Sequence, residues 1–169
     1  ETTKNHPQAL KSAQQYIEIG RQLAERHQDK LFIAYAYEEL GKIKRLQKEF
    51  QQAEVLLKKA LEYHKAFRGS YGQTNALIQL ARIAADQNDF DGSEQYFQLA
   101  TAIAVESDAP TNKIWILLAQ ADVMQQQSND VLANNFAQQA MEIAKNTQRA
   151  HLISRVDAWF NKHSIYELN

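Results

Sequence analysis

Residues 37–60, YEELGKIKRLQKEFQQAEVLLKKA, read as a helix, a tight turn and a second helix, and their reading decides the fold. The markers are Tyr37, Leu40 and Gly41 in the first helix and Ala53, Leu57 and Ala60 in the second. The same size pattern returns 40 residues later as Leu77, Leu80, Ala81, Ser93, Phe97 and Ala100. It returns again as Leu117, Gln120, Ala121, Ala133, Ala137 and Ala140, and 40 residues upstream the second helix alone returns as Ala13, Ile17 and Gly20. A fixed period of this length marks a stacked array, in which each helix pair carries an apolar face too large for itself and buries it on the next pair.

Composition agrees. Two prolines and five glycines in 169 residues leave few breaks in a chain rich in Ala, Gln, Leu and Glu, and no alternating β-branched run reads as strand. The fold class is therefore all-α: a right-handed α-solenoid of antiparallel helix pairs with about eight helices. The net charge of −1 supplies no global basic field for nucleic acid, and no apolar run approaches the ~18 residues needed to span a bilayer. Without cysteine there is no disulfide, thiolate metal site or thiol nucleophile. The expected compartment is the cytoplasm, with the periplasm left open by the absent cysteines and the Glu1 start.

Apolar stripes place helices over residues 8–28, 31–48, 51–67, 73–87, 91–106, 111–127, 131–147 and 150–164. One array over 1–169 then divides into a half repeat (8–28), repeats at 31–68, 71–107 and 111–148, and at 150–166 a capping helix or the start of a further repeat. The first stripe holds Leu10, Ala13, Tyr16, Ile17, Gly20, Leu23 and Ala24, and the second Leu31, Ala34, Tyr37, Leu40 and Ile43. Pro7 suits a helix entry. Gly69-Ser70-Tyr71-Gly72 and Ser107-Asp108-Ala109-Pro110 read as breaks, and Asp91 with Glu94 as a capping box. Gly41 costs up to ~1 kcal/mol against Ala inside a helix. Because Ala81 and Ala121 share its register, it is expected at a close helix–helix contact. Val156, Trp159 and Phe160 form an apolar end face that could pair two copies of the chain.

These residues resemble the tetratricopeptide repeat: a bulky residue, Leu-Gly three positions on, then Ala, a large apolar residue and Ala in the second helix. Tyr37, Leu40-Gly41, Ala53, Leu57 and Ala60 carry the pattern best. The period of 40 exceeds the family's usual 34 and is similar to that of its bacterial regulatory and peptide-sensing members and of cargo-adaptor proteins. The resemblance implies that the first helix of each unit lines a concave groove. It assigns to that groove Tyr35, Glu38, Lys42 and Arg45; Asn75, Ile78, Arg82 and Ala85; Trp115, Leu118, Asp122 and Gln125; and Arg155 with Ala158 in the last helix. Lys42, Arg45, Arg82 and Arg155 would then set positive charge beside Tyr35 and Trp115, a surface for an acidic peptide. The family's clamp for chaperone tails is not carried over, because Glu39, Gln79 and Ala119 stand where it requires asparagine.

No motif carries chemistry. His6, His27, His64, His151 and His163 form no HExxH, His163 with Glu167 is a lone pair, and the histidines are expected on the solvated surface. No phosphate loop, nucleophile elbow or calcium loop occurs. The expectation is a non-enzyme with no cofactor: a protein- or peptide-binding scaffold within a larger bacterial regulatory or signalling protein, without nucleic acid or membrane insertion. The alternatives are a peptide-responsive sensor and a structural spacer or dimerisation arm, the latter a homodimer through the end helix.

Overall fold

A computed structural model describes residues 6–163. Its helices are α1 (His6–Arg26), α2 (Lys30–Leu46), α3 (Phe50–Ala66), α4 (Ser70–Asp86), α5 (Phe90–Glu106), α6 (Pro110–Gln126), α7 (Asp130–Asn146) and α8 (Ala150–His163). The described residues contain no strand. Glu167, half of the pair noted above, lies outside them.

The true metric of the array is half the sequence period. Helices α2 to α7 each have 17 residues, and every connector has three, so one helix and one connector make 20. The middle connector residue takes a left-handed conformation each time: Gln28, Lys48, Arg68, Asn88, Asp108, Ser128 and Gln148, with φ between 44° and 62°. At the second connector the Lys48 N–H donates to the Arg45 carbonyl and the Glu49 N–H to the Lys44 carbonyl, both at 2.9 Å. This pair of bonds satisfies carbonyls that the helix end leaves open, and it recurs at each of the first six connectors. The third connector residue then starts the next helix. The side chains of Asp29, Asp89 and Asn129 accept from the N–H groups of Phe32, Gly92 and Leu132.

Two local expectations are corrected. The cap of α5 is Asp89, not the Asp91–Glu94 box, which lies inside the helix. The Gly69–Gly72 segment does not break the chain through its glycines, since no glycine has positive φ and Gly72 lies within α4. Gly41 and Gly72 sit instead where a neighbour leaves no room. A Cβ on Gly41 would lie 2.6 Å from Leu57 Cγ, which places this glycine at the close α2–α3 contact its register implied. A Cβ on Gly72 would lie 2.2 Å from His64 Nδ1. His64 itself is 2% exposed, so it is a core side chain and not a surface histidine. The register explains the exchange. Ala24, Ala104 and Ala144 occupy the position of His64 in other units, and Phe32, Asn112 and Leu152 occupy that of Gly72. Where the second helix carries the large residue, the following helix carries the small one.

The pairs α2–α3, α4–α5 and α6–α7 pack most closely, and each second helix also packs on the first helix of the next unit. The first helices α2, α4, α6 and α8 touch their successors in turn, forming an inner row. One apolar core joins α3 to α6 around Leu57, Leu80, Phe97 and Ile116, and a second joins α6 to α8 around Ile114, Leu152, Val156 and Trp159. Burial of Val156 and Trp159 removes the apolar end face expected for pairing, since α8 spends those residues on α6 and α7. At the other end Tyr16, Leu23 and Leu31, expected in buried stripes, are exposed. No helix among the described residues is long and apolar enough to cross a membrane.

Candidate peptide-binding groove

The inner row presents the same register positions at steps of 40. The position of Glu38, Ile78 and Leu118 is buried in all three units, so these side chains form the floor of the groove. The cause is local: this position points at the next first helix, where Asn75 donates to Glu38 Oε1. The outer positions carry the polar groups. Tyr35 is exposed, Asn75 and Trp115 are half-buried and Arg155 is exposed.

The basic residues are mostly neutralised within the array. Lys42 Nζ donates to Glu38 Oε1 at 2.6 Å and to Glu39 Oε1 at 2.7 Å. Arg45 Nε reaches Asp86 Oδ2 and Arg82 Nη2 reaches Asp122 Oδ2, each at 2.7 Å. These rungs join consecutive first helices, as does the buried bond from Asn112 to Thr74. The expected continuous positive surface is therefore cancelled along most of its length. Charge-assisted bonds of this kind hold the inner row together.

The first joint is closed around Glu38. His64 Nε2 lies 3.4 Å from Glu38 Oε2, and the His64 ring meets Tyr35 edge-on at 5.3 Å. Burial pushes the Glu38 carboxyl up, but the nearby His64 ring and the bond from Lys42 outweigh that and hold it below the usual carboxylate range. Charge is thus buried where α2, α3 and α4 meet, with its partners supplied by all three helices.

The last joint is open. A concavity of about 270 Å³ lies between α4, α6 and α8. Six of the expected groove residues line it: Arg82, Trp115, Leu118, Asp122, Arg155 and Ala158, with Trp159 and Lys162 completing it. Asp122 is its hinge. It accepts from Arg82 on one oxygen and from Trp159 Nε1, at 2.9 Å, on the other. Arg155 lies over the Trp115 ring, 5.4 Å from its centroid, and has no carboxylate partner among the described residues. Such stacking orients a guanidinium without neutralising it. Burial lowers the Arg82 pKa against the pull of Asp122, and an arginine so lowered stays charged at neutral pH. His163, stacked on Trp159 at 4.4 Å, is lowered by burial first and then by Lys162.

Sequence reasoning missed two groove residues. Lys162 stands at the register of Lys42, Arg82 and Asp122, so continuing that register by one more unit would have found it. Trp159 stands where earlier units have Glu39, Gln79 and Ala119, and nothing in that series announces an indole turned inward. Among the described residues no group of three or more His, Cys, Asp and Glu could hold a metal ion.

The sequence matches the tetratricopeptide repeat family model over residues 32–106. No curated protein matches it. Among solved structures it is similar to BtubC (BKLC) from P. vanneervenii, with a TM-score of 0.66 and 18% identity over 91% of this chain and 65% of that one. It is also similar to the apo form of RapI, with a TM-score of 0.58 and 18% identity over 84% of this chain and 64% of that one. The chain thus spans just under two thirds of the length of each neighbour, and at this identity the likeness concerns the fold. Residues 32–106 thus match the tetratricopeptide repeat, and the described residues form a tetratricopeptide-like helical solenoid.

Proposed function

We propose that this chain is a protein- or peptide-binding scaffold that takes a partner segment in its concave groove and anchors it in the pocket between α4, α6 and α8. One observation carries the reading. Along the inner row Lys42, Arg45 and Arg82 are matched by carboxylates, but at the last joint Arg155 and Lys162 border an aromatic concavity without carboxylate partners among the described residues. A half-buried Trp beside free cations suits a segment that brings an apolar side chain and an acidic group together. The 40-residue period agrees with the bacterial regulatory members that the sequence resembles, and a regulatory protein is the setting this reading assigns.

Affinity selection from a random peptide library tests it. Wild type should enrich sequences that pair a large apolar residue with Asp or Glu, and a folded Trp115→Ala, Arg155→Ala variant should not. Equal enrichment by both would remove the pocket from the account.

A sensor is the second reading, and one feature favours it. Asp122 connects α4, through Arg82, to α8, through Trp159. A ligand that competes for either bond would shift the balance between two superhelical pitches. Small-angle scattering with a selected peptide would show a change in radius of gyration under this reading, and none if the groove binds rigidly.

A further inference from the structure

We propose that the trough between α5 and α7, floored by α6, binds a small amphiphile: an unbranched apolar chain ending in a carboxylate. The trough is a cavity of about 590 Å³, within the size range of ligand pockets. Ile116 and Leu117 line its floor and Ile143 its far wall, so its surface is mainly apolar. It lies inside the array, bounded by second helices and away from the inner row, with described helices on both sides. Comparison between units shows why it is open. At the register of Thr101 stand Leu61 and Met141, both half-buried and packed on the apolar cores, whereas Thr101 is exposed. Between α3 and α5 the trough is accordingly interrupted. About 80 Å³ remains beside Glu54 and about 500 Å³ beside Lys65, with Leu61 between them along α3. Thr101 removes that plug, and one continuous trough results.

The charges change in the same unit. Glu62 and Glu142 share the register of Ala102, and Gln73 and Ile153 share that of Lys113. The flanking units therefore hold a carboxylate and no cation at these two positions, whereas this trough holds a cation and no carboxylate. Lys113 is half-buried and has no carboxylate partner among the described residues. An anionic group on the ligand supplies the missing partner. Shape selects the rest. The stretch from Glu94 to Ala102 spans about 12 Å of α5, the length of an extended chain of about ten carbons. A cavity of this volume and length is about 8 Å across, narrower than the roughly 10–12 Å of a helix with its side chains. An extended peptide fits no better, since Ile116, Leu117 and Ile143 offer its backbone N–H and C=O groups no partner. An alkyl chain meets neither obstacle. Helices α5 and α6 run antiparallel across their short connector, so Lys113 lies at the Ala102 end and Glu94 at the other. The carboxylate of the ligand is thereby directed to Lys113.

The probe is octanoate, with octan-1-ol as its uncharged counterpart, and binding is measured by calorimetry on the full chain. Octanoate should bind at one site per chain, about tenfold more tightly than octanol. Thr101→Leu restores the side chain that plugs the trough at α3, and Ala102→Glu restores the carboxylate of the register. Each should weaken octanoate binding by about tenfold or more. Both introduce residues that α3 carries at these positions, and circular dichroism checks that helix content is kept. Lys113→Gln, which introduces the residue of α4, should erase the preference for the acid over the alcohol. No saturable binding of octanoate at up to about 1 mM, the weak end of measurable affinity, would overturn the proposal. Binding that is unchanged in Thr101→Leu would also overturn it. Loss of binding in Arg155→Ala but not in Thr101→Leu would place the anion in the pocket between α4, α6 and α8 instead. Equal affinity for octanoate and octanol would overturn the assignment of a carboxylate to Lys113.

Discussion

The first and last joints of the inner row use the same register positions to opposite ends. Around Glu38 a carboxylate 2% exposed is surrounded by Lys42, His64, Asn75 and Tyr35, and the joint is closed. Around Asp122, four residues beyond the register of Glu38, the carboxylate is partly exposed, and Arg155 and Lys162 remain beside it facing solvent. A repeat architecture fixes where side chains point. Which joint becomes a lock and which a site then depends on where charges find partners. Burial makes the first joint sensitive to loss of any member, whereas solvent at the last joint makes its ion pairs worth little to stability and leaves its free cations available.

The largest expected difference is between the two carboxylates. Glu38→Ala leaves Lys42, Asn75 and His64 around an empty buried site and should lower stability by about 3 kcal/mol. Asp122→Ala should cost less, about 1–2 kcal/mol, because Arg82 reaches water and only the buried Trp159 N–H is left without its acceptor. Equal losses in denaturant unfolding would erase the distinction between the joints. The pH dependence carries the same asymmetry. Glu38 has a folded-state pKa below its ordinary value, so its contribution is fully present above the usual carboxylate range and is lost as pH falls through the lower folded value. Glu38→Gln should therefore flatten the acid limb of the stability curve, and an unchanged limb would assign acid sensitivity to other groups.

Next comes the size exchange at the first joint. Gly72→Ala should lower stability by about 2 kcal/mol despite the better helix propensity of alanine, because its Cβ meets the His64 ring. Adding His64→Ala removes the ring that the new Cβ meets, so the double variant should lose less stability than the two single losses added together, although Glu38 loses a partner. A neutral single substitution would show that His64 moves aside easily.

At the last joint the effect should appear in binding. Arg155→Ala should reduce the affinity of a selected peptide by about tenfold while changing stability by under about 0.5 kcal/mol. A loss of stability as large as the loss of binding would make Arg155 a structural residue.

The smallest effect is a control shared by both regions. Arg68→Gly and Gln148→Gly relieve a side chain held at positive φ and should each stabilise the chain by about 0.5–1 kcal/mol. Loss of stability at either position would mean that the side chain contributes a contact larger than the backbone strain.

Most of the fold was legible because helix pairing repeats the same sizes at fixed spacing: Leu40-Gly41, Ala53 and Leu57 specify a contact that Leu80-Ala81, Ser93 and Phe97 specify again. The connectors were not legible. Their left-handed residues are Gln, Lys, Arg, Asn, Asp and Ser, whereas Gly72, one of the glycines that suggested a turn, is sized for the His64 ring beside it. The groove was legible as a face but not as a surface. Register located Arg82, Trp115, Asp122 and Arg155, whereas pairing by Asp86 and Asp122, each some 40 residues away on the next helix, depends on how the units stack. Burial of Glu38 and His64 was illegible for the same reason: a charged residue and a histidine read as surface until their partners are in place.

The most direct measurement uses the chain's own two tryptophans, Trp115 and Trp159, which both line the pocket at the last joint. Titration of a selected peptide should shift their emission, with a midpoint equal to the Kd measured calorimetrically and about tenfold weaker in Arg155→Ala. Binding that leaves the emission unchanged and is indifferent to Arg155→Ala would contradict a recognition site between α4, α6 and α8.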